Sequence, residues 1–386
     1  MYVENNRVRL CCESEERIEK YITTENTVED IWYSDFYRNT RQQMLDGVLP
    51  DSCRICKLME ETGDQSKRQW DNFVYNKFIG DVNDFISLDV PLPINFDVRP
   101  SNKCNLECVM CNGIVSTSIS QRVKEYKKEA GLDNFVIQEG KDWKDHNHII
   151  QYVKENSDKI RILKLDGGEP FLLPEVLDVI DYLVETGDSK HIRISFISNG
   201  TVVRSKWFSE KLIHFENVKL TISLDAVGDV LNYVRYPSKW SAVDSNLRLF
   251  KQMSDEYKNF KVSLDPVIHL LNALHLHEVF EYADSIGLHA NLSPVYQTNN
   301  QTYLHTSLLT DELRQEAYKR ITNTIANSNL DFNTGSEFVN DLLKQKYNPD
   351  PVQIAHLNSI IKYWDSHRPV KFIDQYPYLK YLLTDK

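Results

Sequence analysis

The chain has 386 residues, with 45 Lys+Arg against 56 Asp+Glu and a formal net charge of −11. That length predicts two or three domains with ample chain for a core, and aromatic and charged fractions of 11% and 26% exclude wholesale disorder. No apolar run approaches the ~20 residues that span a bilayer, residues 1–7 hold no apolar signal segment, and the acidic balance disfavours sequence-blind binding to nucleic acid or anionic lipid. A cytoplasmic protein without a membrane partner is expected, although a local basic groove stays compatible with this charge.

Residues 1–75 form the first expected unit. RVRLCC (7–12) reads as a short strand, and 27–46 (TVEDIWYSDFYRNTRQQMLD) as a helix ended by Gly47 and Pro50. Four of the seven cysteines lie here: Cys11, Cys12, Cys53 and Cys56. The other three are Cys104, Cys108 and Cys111. An odd count, no export signal and tight local spacing argue against a disulfide framework. Thiolates two or three residues apart suit a shared centre, either zinc or iron–sulfur. A unit this short needs such a staple to hold together.

From about residue 93 a strand–helix rhythm begins, and a core domain is expected over 90–300. The strands are read at 94–99, 160–166, 192–198, 219–225, 261–265 and 288–295. Between them, Val176, Val179, Ile180, Leu183 and Val184 recur at helical spacing, as do Leu276, Val279, Phe280 and Ala283 before Gly287. Val243, Leu247 and Phe250 mark a further helix. Alternating strands and helices mean βα units and a parallel sheet, and six units are fewer than the eight of a closed barrel. Residues 301–386 read as a mostly helical, aromatic extension, with helices over 311–327 and 352–365.

Within the strands, apolar and polar residues alternate. Leu220, Ile222 and Leu224 oppose Thr221, Ser223 and Asp225. Phe96 and Val98 oppose Asn95, Asp97 and Arg99. The apolar set should pack under helices, so the polar set lines either a ligand-holding lumen or the solvated face of an open sheet. Lys164, Asp97, Arg99, Asp265 and His289 are lumen candidates. Arg235, after the fourth strand, either reaches the cavity mouth or forms a structural ion pair.

Two motifs carry chemistry. Cys104-Asn-Leu-Glu-Cys108-Val-Met-Cys111 follows the first core strand and places three thiolates around one small centre. An iron–sulfur cluster on three cysteines keeps one iron open to another ligand, whereas zinc would need a fourth ligand from elsewhere. The second strand ends in Asp166-Gly167-Gly168-Glu169-Pro170, where glycines allow close backbone approach at the ligand-binding end of a parallel strand. His146/His148 and His275/His277 read as surface or partly buried residues on helices, and the run beginning at Arg122 as a solvated helix face, with a basic substrate groove as the alternative. Lys67-Arg68 could meet a phosphate or carboxylate.

The first βα loop with CNLECVMC, the strand ends GGEP and Ser198-Asn199-Gly200, and Ser223-Leu224-Asp225 together resemble the radical S-adenosylmethionine (SAM) superfamily over about 93–300. The resemblance implies a partial (β/α)6 barrel. It implies that Cys104, Cys108 and Cys111 hold a [4Fe–4S] cluster whose open iron chelates SAM. Gly167, Gly168, Glu169 and Pro170 would meet the methionine amino group, while Ser198, Asn199, Ser223 and Asp225 would meet carboxylate or ribose. Met110 stands where an aromatic residue usually lies near the adenine. The implied reaction is one-electron cleavage of SAM, with an adenosyl radical taking hydrogen from the substrate and an electron donor such as flavodoxin or ferredoxin.

VRLCC, TVEDIWYSDFYRNTRQQML, PDSCRIC and QSKRQW resemble the auxiliary-cluster module of twitch/SPASM type, as does VRYPSKW at 234–240. This implies a second iron–sulfur cluster on Cys53, Cys56 and one or both of Cys11 and Cys12, with structural zinc as the competing occupant. Related proteins usually begin earlier, with a Cys-Pro segment, whereas this sequence starts ten residues before Cys11. The expected substrate is a peptide or protein side chain, with a sugar or nucleotide metabolite as the second option. The rivals are a zinc-stapled binding protein and a SAM-binding scaffold without catalysis.

Overall fold

The computed structural model describes residues 1–4, 6–14, 21–62, 65–75, 91–140, 148–294, 302–328, 336–344 and 346–384. His146 lies outside them. The chain forms two compact units. The first comprises Met1–Ser101, Trp143–Asp166 and Glu175–Ile194; the second comprises Asn102–Asp142, Gly167–Pro174 and Ser195–Lys386.

The first unit contains strands β1 (Tyr2–Glu4), β2 (Arg7–Arg9), β3 (Asn95–Arg99) and β4 (Ile162–Leu165), in the order β2-β1-β3-β4. β1 and β2 make an antiparallel hairpin with Val3 opposite Val8. Asn6 sits at φ 58 in its turn, a left-handed conformation that Asn tolerates. β1–β3 and β3–β4 are parallel, with Val3 opposite Val98 and Phe96 opposite Leu163. These residues are buried, as the alternation requires.

The other face of this sheet carries charge. Lys164 Nζ lies 3.2 Å from Asp97 and 2.7 Å from Asp166. Arg99 lies 4.0 Å from Asp166 and 3.9 Å from Glu4. The lumen candidates Asp97, Arg99 and Lys164 thus share one ion-pair lattice.

The helix expected over 27–46 is two helices, Val28–Trp32 and Asp35–Leu45. Thr27 and Asp30 form a capping box at the start of the first. Ser34 takes an extended ψ of 158°, and its hydroxyl donates back to the Ile31 carbonyl, so the chain restarts at Asp35. Cys53 closes the turn Asp51–Cys53, and Cys56 lies on the helix Arg54–Thr62. The apolar stripe Val176, Val179, Ile180 and Leu183 is buried on the helix Pro174–Thr186.

The second unit contains the end of β5 (Arg193–Ser198), then β6 (Asn217–Ile222), β7 (Phe260–Leu264) and β9 (His289–Ala290), in that order across the sheet. β6–β7 and β7–β9 are parallel. A separate parallel pair joins β8 (Val267–Ile268) to β10 (Ser293–Pro294). Two expectations change here. The strand read at 219–225 ends at Ile222, and the Ser223 N–H donates to the Ser198 carbonyl at 2.9 Å. The strand read at 288–295 is two short strands, β9 and β10. Between β7 and β8, Pro266 offers no ladder donor.

Phe196, Phe171, Phe208 and Phe250 pack in a row with successive ring centroids 5.1, 4.6 and 5.8 Å apart. Gly287, at φ 66, ends the helix Leu276–Ile286. The C-terminal helices are Asp311–Ala326, Ser336–Lys344, Pro351–His367 and Phe372–Gln375. This is an α/β fold with mostly parallel pairing and many helices. Among the described residues, no helix is long and apolar enough to cross a membrane.

Candidate cofactor site

The second unit holds the 104–111 loop through the helix that follows it. Ser116 caps the helix Thr117–Ala130, and its hydroxyl donates to the Leu106 carbonyl at 2.8 Å. The Cys104 N–H donates to Thr117 Oγ1 at 3.3 Å, and Ser118 Oγ donates to the Cys104 carbonyl at 2.7 Å. On the other side, the Glu107 and Val109 N–H groups donate to the Tyr236 and Val234 carbonyls at 2.6 and 2.9 Å. The Cys111 N–H closes a turn on the Cys108 carbonyl at 3.1 Å.

Gly168 is required by space. A Cβ there would lie 2.4 Å from the Lys103 carbonyl oxygen and 2.6 Å from that of Asn102. The next residue, Glu169, donates its N–H to Lys103 and is fully buried. Its carboxylate accepts from Ser198 Oγ at 2.9 Å, the Asn199 N–H at 2.8 Å and the Phe171 N–H at 3.3 Å. Burial raises its pKa to about 7 against those hydrogen bonds.

Asn199 is ordered in turn. Its Nδ2 reaches Asn105 Oδ1 at 3.0 Å and Cys104 Sγ at 3.9 Å, and its Oδ1 accepts from the Thr201 N–H and hydroxyl. Glu169, Ser198, Asn199 and the first cysteine thus form one connected network.

Asp225 and Arg235 form a second. Asp225 is fully buried; its Oδ2 lies 2.6 Å from Arg235 Nε, and its Oδ1 accepts from the Val267 N–H at 2.8 Å. Arg235 Nη1 reaches Cys108 Sγ at 3.8 Å. The ion pair that the sequence offered for Arg235 is present, and the same side chain also reaches the Cys108 sulfur. The Cys111 thiol, with Arg235 alongside, holds the Cys108 thiol below its ordinary pKa, while its bond to Cys108 pushes Cys111 well above. Burial pushes Cys104 up to about 12.

Met110 and Ser223 are half-buried. His269, which lies within the field of the Asp225–Arg235 pair, is a buried titratable residue that sequence reading did not single out. It is fully buried, and desolvation drops its pKa to about 4. The Leu271 N–H donates to its Nδ1 at 3.1 Å, which leaves the ring proton on Nε2. A lone His between Ile268 and Leu270 carries no motif, so nothing in the sequence marks it.

The first unit gathers the other thiols. Burial pushes Cys11 up to about 11; Cys12 and Cys53 add to this, and Lys67 opposes it. Burial also raises Cys12 and Cys53, and the Arg68 cation opposes the rise at Cys53. Lys67 pairs with Asp71 at 2.9 Å and Arg68 with Glu60 at 2.6 Å. Among the described residues, no group of three or more His, Cys, Asp or Glu side chains is arranged to hold a single metal ion.

Comparison with known proteins bears on the second unit's loop. Residues 98–283 match the family model described as the Radical SAM superfamily. The mostly parallel strand pairing is what such a domain requires. No curated protein matches the chain in sequence.

Among solved structures, native anSMEcpe with bound AdoMet is 18% identical at a TM-score of 0.41, over 65% of this chain and 63% of that one. Streptococcus suis SuiB bound to S-adenosylmethionine is 15% identical at 0.43, over 83% of this chain and 67% of that one. TYW1 with a lysine–pyruvate adduct is 18% identical at 0.31, over 60% and 72%. The chain therefore spans less than two thirds of anSMEcpe.

The donor set of the 104–111 loop fits an iron–sulfur cluster. Three thiols lie on one loop, an amide reaches the Cys104 sulfur, and a guanidinium reaches the Cys108 sulfur. Hydrogen bonds and charge at the sulfurs are the levers by which a protein tunes such a cluster.

Proposed function

We propose that this chain is an oxygen-sensitive radical SAM enzyme. Cys104, Cys108 and Cys111 would hold a [4Fe–4S] cluster, and Met110, the 167–170 turn, Ser198, Asn199, Ser223 and the Asp225–Arg235 pair would form the SAM site. When bound, cluster and SAM supply one-electron cleavage of the sulfonium and hydrogen abstraction from an unactivated C–H bond.

This chain's own residues position and shield. Glu169 fixes the Ser198 hydroxyl and the Asn199 backbone. Asn199 and Arg235 each donate to a cysteine sulfur, and Asp225 keeps the Arg235 guanidinium charged and aimed. The observation that carries the reading is the approach of Arg235 and Asn199 to two sulfurs of one loop.

Cys11, Cys12, Cys53 and Cys56 would hold an auxiliary iron–sulfur cluster of twitch type, within 1–75. A peptide or protein side chain is the substrate class this reading favours, and a flavodoxin or ferredoxin the donor. The test is anaerobic reconstitution with iron and sulfide, then dithionite and SAM. Wild-type protein should form 5′-deoxyadenosine, and Cys108→Ala should lose this while keeping an N-terminal chromophore. Zinc in place of iron, or wild-type SAM cleavage by the variant, would reject the proposal.

A further inference from the structure

Arg368 follows the helix Pro351–His367 and is 3% exposed. Its Nη1 donates to the Tyr233 carbonyl at 2.7 Å and its Nη2 to the Glu107 carbonyl at 2.8 Å. The guanidinium lies 5.0, 5.4 and 5.1 Å from the ring centroids of Tyr233, Tyr236 and Trp364. The adjacent His367 Nε2 lies 3.0 Å from Glu107 Oε2.

Those two carbonyls belong to two segments already stitched together. Glu107 and Val109 donate to Tyr236 and Val234, so 107–109 runs beside 234–236, and Arg368 bridges the Glu107 carbonyl of one segment to the Tyr233 carbonyl that precedes the other. One segment carries Cys108 and the other Arg235, whose Nη1 is 3.8 Å from the Cys108 sulfur. A buried charge that only filled space would be replaced at a gain by an apolar side chain. Here its planar fork matches two carbonyls that would otherwise be buried without a donor.

We infer that Arg368 is a positioning residue for the cysteine loop. It sets the register of Cys108 against Arg235, and this makes the C-terminal extension a working part of the cofactor site. The inference rests on the proposed function only for the identity of the group the loop holds.

The test uses the full chain without its cluster, so it does not depend on activity. Amide hydrogen exchange is followed in wild type, Arg368→Gln and Arg368→Lys. In the Gln variant the Glu107 and Val109 amides should exchange about tenfold or more faster, because the ladder opens locally. Amides of the helix Pro174–Thr186 should stay within about twofold of wild type.

Lys keeps the charge but cannot make both bonds as a fork, so it should fall between. If the Gln variant does not fold, the Lys variant decides by the same amides. After reconstitution, the Gln variant should also show an altered paramagnetic spectrum with SAM. Unchanged exchange at Glu107 and Val109, or equal acceleration throughout the chain, would overturn the inference. Either result leaves the SAM reading standing, and failed SAM cleavage by wild type leaves the exchange result standing.

Discussion

The two groups of thiols use the same ligand chemistry in different surroundings. In the second unit, Cys104 and Cys108 each receive a donor, and the cation behind Cys108 is itself buried and paired with a buried carboxylate. In the first unit, the cations whose fields fall on Cys11, Cys12 and Cys53 are Lys67, Arg68 and Lys164, each partly exposed and bound to Asp71, to Glu60 and to the Asp97–Asp166 carboxylates respectively. Exposed ion pairs in water contribute little, and salt screens them. The contrast teaches that the second unit's loop is held by fixed, desolvated polarity, whereas the first unit's thiols depend on what they bind.

Breaking the buried pair should have the largest effect. Arg235→Gln leaves Asp225 buried without its cation, which costs about 3–5 kcal/mol. It also removes positive charge from the Cys108 sulfur, so the reduction potential of a cluster on this loop should fall. Thermal melting and a redox titration check both. Wild-type stability and potential in the variant would remove the distinction between the two groups.

A second substitution separates the groups directly. Cys53→Ala should lower the iron bound after reconstitution while 5′-deoxyadenosine still forms from SAM. Loss of both would mean the thiols do not act as two independent groups.

The smallest effect concerns fixed polarity near Asp225. His269 has a folded pKa of about 4 against an ordinary 6.5, so between these values the unfolded chain takes up a proton that the folded chain refuses. Stability should therefore fall as pH drops from 6.5 towards 4, by about 1.4 kcal/mol per pH unit from this group. His269→Asn should show a shallower acid slope in denaturant unfolding across that window. An unchanged slope would remove His269 from the account.

What could be read in advance follows from distance along the chain. The 104–111 spacing, the 166–170 turn and the alternation in β3 and β6 are local patterns, and the faces of those two strands are buried as the periodicities require. The break at Ser34 was hidden because one hydroxyl bond to Ile31 decides it within an otherwise helical run. β1 is three residues long and too short to alternate visibly. Arg368 carries no sequence signal at all, because its partner Glu107 stands 261 residues away. Arg235 was legible as a candidate, but its joint hold on Asp225 and Cys108 needs the turn that brings 234–236 beside the loop.

The central claim is that the 104–111 loop holds a cluster with a coordination position open to SAM. Electron paramagnetic resonance of the anaerobically reconstituted, dithionite-reduced chain, with and without SAM, tests it most directly. A reduced-cluster signal that changes on adding SAM, and that Cys108→Ala lacks, is the predicted result. A signal indifferent to SAM, or one that survives unchanged in the variant, would contradict it.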